Sequence, residues 1–133
     1  MSSSVDVSLI LPTRNEAANI ATAISSASEV LSAYNFEIIV VDDDSPDGTA
    51  DIVRQIAGEN LRVRCVHRIG RRGLASACIE GALAAAGRVI AVMDADLQHD
   101  EKKIPIIRRI SENKQPELDK LKIFMIDIDG TIC

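Results

Sequence analysis

The sequence predicts an α/β fold in which a mostly parallel sheet carries helices on both faces. Three observations point to it. Short apolar runs alternate with stretches of helical periodicity from residue 7 to about residue 110. Most of those runs are nearly continuous in apolar residues, as strands covered on both faces are. The segments that follow them, Pro12–Glu16, Asp42–Asp44 and Asp94–Asp96, are polar and acidic. In parallel sheets the carboxyl ends of the strands share one edge, and ligands bind there.

Composition narrows the class. The chain has 133 residues, 47% hydrophobic and 26% charged, which suits one ordinary domain or a domain plus a fragment. A net charge of -5 argues against a nucleic-acid partner. No apolar run approaches the ~18 residues of a membrane-spanning helix, so no transmembrane segment is expected. The start, Met1 to Asp6, lacks the basic region of a secretory signal. Cys65, Cys78 and Cys133 form no C-x-x-C pair and are read as small buried hydrophobes, with a cytoplasmic location as the expectation. Aromatics are 2%, so aliphatic side chains must fill the core.

The elements follow in order. Val7–Leu11 reads as a strand stopped by Pro12. Thr13-x-x-Glu16 has the form of a capping box, and Ile20, Ile24, Ala27 and Leu31 recur behind it at helical spacing. Phe36–Val41 is a buried strand. Ser45 is then placed to cap a helix beginning at Pro46, with Val53, Ile56 and Ala57 on its apolar face. Leu61–Val66 alternates apolar and polar residues, as a less buried strand would. A helix with Leu74, Ala77, Cys78, Gly81, Ala82 and Ala85 on one stripe follows, ended by Gly87. Its small residues allow close approach to a sheet. Val89–Met93 is a fourth strand, and Ile104, Ile107 and Arg108 begin a short helix.

The acidic edge carries the chemistry. Asp94 and Asp96 flank one residue, so a turn can aim both at a single cation, and Gln98 adds a neutral oxygen. All-oxygen ligation suits Mg²⁺ or Mn²⁺. Such an ion binds a diphosphate and offsets the charge that develops on it as a leaving group. Glu16, Asp42, Asp43 and Asp44 can accept hydrogen bonds from ribose hydroxyls or base N–H groups. Arg68, Arg71 and Arg72 offer charge-assisted contacts to phosphate. His67 and His99 read as structural or loop residues.

Four ordered motifs resemble the family 2 glycosyltransferases with a GT-A, Rossmann-like fold: Leu11-Pro12-Thr13-Arg14-Asn15-Glu16, Val41–Thr49, Gly73-Leu74-Ala75-Ser76-Ala77, and Met93–His99. They are most similar to the dolichol-phosphate (polyprenol-phosphate) mannosyltransferase branch. The resemblance implies a nucleotide-sugar donor such as GDP-mannose and a polyprenol-phosphate lipid acceptor at the membrane surface. It places Pro12, Arg14 and Glu16 by the nucleotide, and Val41 and Asp43 at base and ribose. Asp94, Ala95 and Asp96 would line the diphosphate, with Asp94, Asp96 and Gln98 on the metal. Arg14 stands where such proteins usually have Tyr, Ala75 where they have a second Gly, and Cys78 where they have Tyr.

Residues 1–110 are accordingly expected to be the nucleotide-sugar-binding half of the domain, with the acceptor half missing and the sheet incomplete. Residues 111–120 read as a linker. Residues 121–133 end in Asp127-x-Asp129-Gly130-Thr131, which resembles the first motif of haloacid-dehalogenase-type phosphatases. They are either the opening strand of such a domain or an edge strand added to the sheet. Two functions stand: a metal-dependent glycosyltransferase, and a nucleotide-sugar-binding module without turnover. A dinucleotide-binding oxidoreductase is disfavoured, because Pro12–Glu16 stands where G-x-G-x-x-G would.

Overall fold

The computed structural model describes residues 4–70 and 73–93, and the backbone of 122–126. Five strands form one parallel sheet in the order β3-β2-β1-β4-β5. They are β1 (Val7–Thr13), β2 (Phe36–Asp42), β3 (Val63–His67), β4 (Val89–Met93) and β5 (Lys122–Ile126). The helices are α1 (Ile20–Val30), α2 (Thr49–Glu59) and α3 (Leu74–Ala84). Side chains alternate between sheet faces. Leu9, Leu11, Ile38, Val40, Ala91 and Met93 pack with Ile20, Ala23, Ile24 and Val53 from α1 and α2. Ile10, Ile39, Val41, Ile90 and Val92 pack with Ala77 from α3. Both faces are therefore apolar, which is why β1, β2 and β4 lack alternation. Strand β3 lies at the sheet edge and is only partly buried, as its alternating sequence suggests. The segment 122–126 pairs with β4 in parallel, alongside Val89–Met93. The remaining residues of 94–133, including the linker at 111–120, lie outside the described residues.

Several expected boundaries move, each because a tertiary contact outcompetes a local motif. Strand β1 runs through Pro12 to Thr13. Asp43 N–H donates to the Thr13 carbonyl, so by alternation the Pro12 nitrogen faces away from β2, toward β4. Pairing with β4 ends at Ile10–Val92, so the missing N–H costs no ladder bond. Thr13 is not a cap: its hydroxyl donates to Asp42 Oδ1 at 2.8 Å, and α1 begins only at Ile20, after Asn19. Ser45 does not cap α2 either. That helix begins at Thr49, after Gly48, while the Ser45 hydroxyl donates to Asp42 Oδ1 at 2.7 Å. Leu74 is 64% exposed rather than on the buried stripe of α3.

The small residues of α3 do permit close packing. A Cβ at Gly81 would stand 2.5 Å from Ile10 Cγ2 and 3.2 Å from Val41 Cγ2. Gly87 does not end α3, which stops at Ala84 with Ala85 as its cap. Its role is close approach to β1, since a Cβ there would lie 2.6 Å from Ser8 N and 2.9 Å from Val7 C.

That contact belongs to a largely buried polar cluster at the amino end of the sheet, opposite the carboxyl ends of the strands. Gly87 N–H donates to Ser8 Oγ at 2.8 Å, and the Ser8 hydroxyl donates to Glu37 Oε2 at 2.6 Å. Ala86 N–H donates to Glu37 Oε2, and Arg64 to Glu37 Oε1, each at 2.7 Å. Burial works to raise the Glu37 pKa. The Ala86 and Ser8 hydrogen bonds and the Arg64 charge outweigh it and hold the group below its ordinary value. The folded state therefore favours the carboxylate, and this contribution is present at neutral pH and fades as pH falls through the folded pKa. Glu37→Gln should lose about 1–3 kcal/mol at pH 7 in urea unfolding, and the deficit should shrink toward pH 3. Gly87→Ala should lose about 1–3 kcal/mol at any pH, because backbone must move.

Candidate functional site

The carboxyl ends of β1, β2 and β3 build the site. The loop after β1 is tied to the loop after β2 by hydrogen bonds from successive backbone N–H groups. Asn15 N–H donates to Ser45 Oγ at 2.8 Å, Glu16 N–H to Thr49 Oγ1 at 3.1 Å, and Ala17 N–H to Asp47 Oδ2 at 3.0 Å. Asp47 also accepts the Thr49 N–H at 3.1 Å. The Thr49 hydroxyl bond is the main influence holding the Asp47 carboxyl below its usual range. Asp42 is fully buried: Oδ1 accepts from Thr13 and Ser45, and Oδ2 from Ser45 N–H. With no solvent exposure it braces the loops and presents no oxygen to a ribose, contrary to the reading of the sequence. Two non-glycine residues take positive φ here, Asn15 (58°) and Asp44 (54°), both types that tolerate it.

Asp43 and Arg68 form the centre of the edge. The register of β2 on β3 pairs Asp42 with His67, so the next residues of both strands, Asp43 and Arg68, emerge side by side. Arg68 is 0% exposed. Its Nε donates to Asp43 Oδ1 at 2.6 Å and its Nη2 to Asp43 Oδ2 at 3.0 Å. The other guanidinium hydrogens go to Gly73 O, Ser76 Oγ and Glu80 Oε2 at 3.1, 2.8 and 2.8 Å. Gly73 N–H adds a 3.0 Å bond to Asp43 Oδ2. Burial works to raise the Asp43 pKa, but the Arg68 hydrogen bonds, the Gly73 N–H and the charges of Arg68 and Arg14 hold it below the ordinary carboxylate value. Arg68 is thus not an available phosphate contact: every guanidinium N–H is committed inside the protein.

The other expected residues take distinct places. Arg14 is exposed, and its Nη1 donates to the Asp43 carbonyl at 3.0 Å. Pro12 is half-buried at the end of β1, in register with Val41. Glu16 is half-buried, and its Oε1 accepts from Asn19 Nδ2 at 3.3 Å. Val41 is fully buried in the layer under α3. Asp44 is exposed and lies 2.9 Å from His67 Nε2. Asp94, Ala95, Asp96 and Gln98, with Arg71 and Arg72, lie outside the described residues, as do His99, Asp127, Asp129 and Cys133. Among the described residues no group of three or more His, Cys, Asp or Glu could hold a metal ion. Cys65 and Cys78 are half-buried free thiols, each pushed up in pKa by burial. No helix among the described residues is long and apolar enough to cross a membrane.

Sequence reasoning missed the inward turn of Arg68 and the parts of Ser76 and Glu80 in holding it. A signal was present. Asp43 and Arg68 each stand one residue beyond a strand, on neighbours of one parallel sheet, and they carry opposite charges.

Comparison with known proteins places this geometry. Residues 8–126 match the family model "Glycosyl transferase family 2". The chain is 43% identical over 99 residues to a dolichol-phosphate mannosyltransferase of Pyrococcus furiosus, covering 74% of this chain and 28% of that one. It is 36% identical over 105 residues to a dolichol-phosphate mannosyltransferase of Saccharomyces cerevisiae, covering 77% and 39% respectively. The chain thus spans well under half the length of these relatives. Among solved structures it is similar to a mannosyltransferase from Pyrobaculum calidifontis in complex with GDP-Man and Mn²⁺, with TM-score 0.62 and 26% identity over 84% of this chain and 34% of that one. With the family model matching nearly its whole length and a parallel GT-A sheet beneath it, the chain belongs to glycosyl transferase family 2.

Proposed function

We propose that the chain supplies the donor-binding part of a glycosyltransferase that moves a sugar, mannose in our reading, from a nucleotide sugar to a polyprenol or dolichol phosphate. The observation that carries this reading is the edge itself: β1 and β2 end in loops bound to each other, with Asp43 held as an oriented carboxylate between them. The named relatives and the GDP-Man-bound neighbour support it. In this reading Asp43 takes a hydrogen bond from the nucleoside, Arg14 stacks on or flanks it, and Pro12 and Glu16 border it. Val41 acts from beneath, as the packed floor of β2.

Strand β4 ends at Met93, beside β1 at the same edge of the sheet, and Asp94, Ala95, Asp96 and Gln98 follow it directly in the chain. Their oxygen donors fit a hard divalent cation, Mg²⁺ or Mn²⁺. When bound, that ion supplies charge compensation for the diphosphate. The reaction forms a bond between a lipid phosphate oxygen and the anomeric carbon and breaks the bond from that carbon to the nucleoside diphosphate, which departs. A lipid phosphate is already anionic near neutral pH, so no strong general base is required.

A second reading is favoured by one fact: the matched region is a minority of each relative's length. In it the chain binds the donor without turnover. The assay that separates them uses the whole chain, GDP-mannose, Mg²⁺ or Mn²⁺, and a polyprenyl phosphate, measuring sugar in the lipid phase. Metal-dependent transfer supports the first reading. Donor binding without transfer supports the second, and neither binding nor transfer overturns both. Asp96→Ala should abolish the divalent-ion dependence of GDP binding measured by calorimetry; an unchanged ion dependence contradicts the assignment of Asp96.

A further inference from the structure

We infer that Arg68 is a positioning residue that fixes which oxygen of Asp43 faces the nucleoside and leaves that oxygen one hydrogen bond to accept. The inference rests on the donor-binding reading above and assigns a role to a residue outside it. A carboxylate has roughly four lone-pair positions. On Asp43, Oδ2 accepts from Arg68 Nη2 and from Gly73 N–H, while Oδ1 accepts from Arg68 Nε alone. Among the described residues one position therefore stays open, on Oδ1. The two-pronged guanidinium contact prevents the carboxylate from rotating about its own bond. Arg68 is in turn fixed on its far side by Ser76 and Glu80 of α3 and by Gly73 O, all in or next to the Gly73–Ala77 segment. Nucleoside recognition is thus coupled to the seating of that segment through a group that touches no ligand.

The ligand class follows. The open position accepts one N–H or O–H donor, so it reads the base or sugar of a nucleotide and is blind to phosphate. Arg68 brings no spare donor to a diphosphate. Arg68→Lys is the informative change, because Lys keeps the charge but cannot make the fork.

The experiment titrates the whole chain with GDP, UDP and inorganic pyrophosphate in the presence of Mn²⁺, and repeats the nucleotide titrations from pH 4 to pH 8. Arg68→Lys should weaken binding of the preferred nucleotide about tenfold while changing pyrophosphate binding by no more than about twofold. The acid limb of nucleotide binding should move to higher pH, since Asp43 loses the forked Arg68 hydrogen bonds, the strongest of the influences that hold it charged. Besides Arg68, the cation facing Asp43 is Arg14; Glu80 stands behind Arg68, and His67 is engaged by Asp44. A wild type that binds pyrophosphate too weakly to measure is still decided by that pH profile. Ser76→Ala, which removes one acceptor from Arg68, should give a smaller loss in the same sense and serves if Arg68→Lys does not fold. Equal weakening of nucleotide and pyrophosphate, or an unmoved acid limb, overturns the inference alone. A wild type that binds neither nucleotide overturns the donor-binding reading with it.

Discussion

A guanidinium with no solvent contact must have every N–H matched, and this condition at Arg68 organises the edge of the sheet formed by the carboxyl ends of β2 and β3. Losing one partner of such a buried pair leaves an uncompensated charge, which costs about 3–5 kcal/mol. The pair therefore constrains more than two side chains. It requires β2 and β3 to end in register, the chain after β3 to turn inward, and the first turns of α3 to sit within reach. It also keeps Asp43 ionised and aimed, which is what a carboxylate needs to select a hydrogen-bond donor.

The two edges of the sheet divide the work. At the amino end, buried Glu37, Ser8 and Gly87 form a polar cluster that the exposed Ala86 joins through its N–H, linking β1, β2 and the approach to β4. It lies at the opposite end of the strands from Asp43 and serves the fold. At the carboxyl end, Asp42 spends its carboxylate on Thr13 and Ser45, and so locks the two loops that Asp43 stands between. Adjacent aspartates with identical chemistry, each accepting three hydrogen bonds, thus differ in role because Asp42 is fully buried while Asp43 keeps some exposure. The thin face of α3 completes the arrangement, since Gly81 lets the helix settle onto Ile10 and Val41 and bring Ser76 and Glu80 toward Arg68.

Much of the fold is legible in the sequence because burial writes it directly. Nearly continuous apolar runs at β1, β2 and β4 mark strands covered on both sides, and the alternation before His67 marks the partly buried edge strand. Local motifs were less informative. Thr13-x-x-Glu16 has the form of a helix cap, yet Asp42 is the stronger partner for the Thr13 hydroxyl in the folded chain. Ser45 beside Pro46 reads the same way and is claimed by the same carboxylate. At the site, Asp43 was identifiable as a carboxylate at a strand end. Arg68 reads in the sequence as a cation open to phosphate, because a basic loop in one dimension does not reveal a register match across strands. The Asp94–Gln98 segment was legible only as a pattern of oxygen donors following β4.

The most direct measurement of the central claim is a crystal structure of the chain grown with GDP-mannose and Mn²⁺. A fully matched Arg68 predicts nucleoside density over the ends of β1 and β2, one hydrogen bond from the nucleoside to Asp43 Oδ1 beside that from Arg68 Nε, and Arg68 still enclosed by Asp43, Gly73, Ser76 and Glu80. A donor bound elsewhere on the sheet, or Arg68 swung out onto the diphosphate, would contradict it.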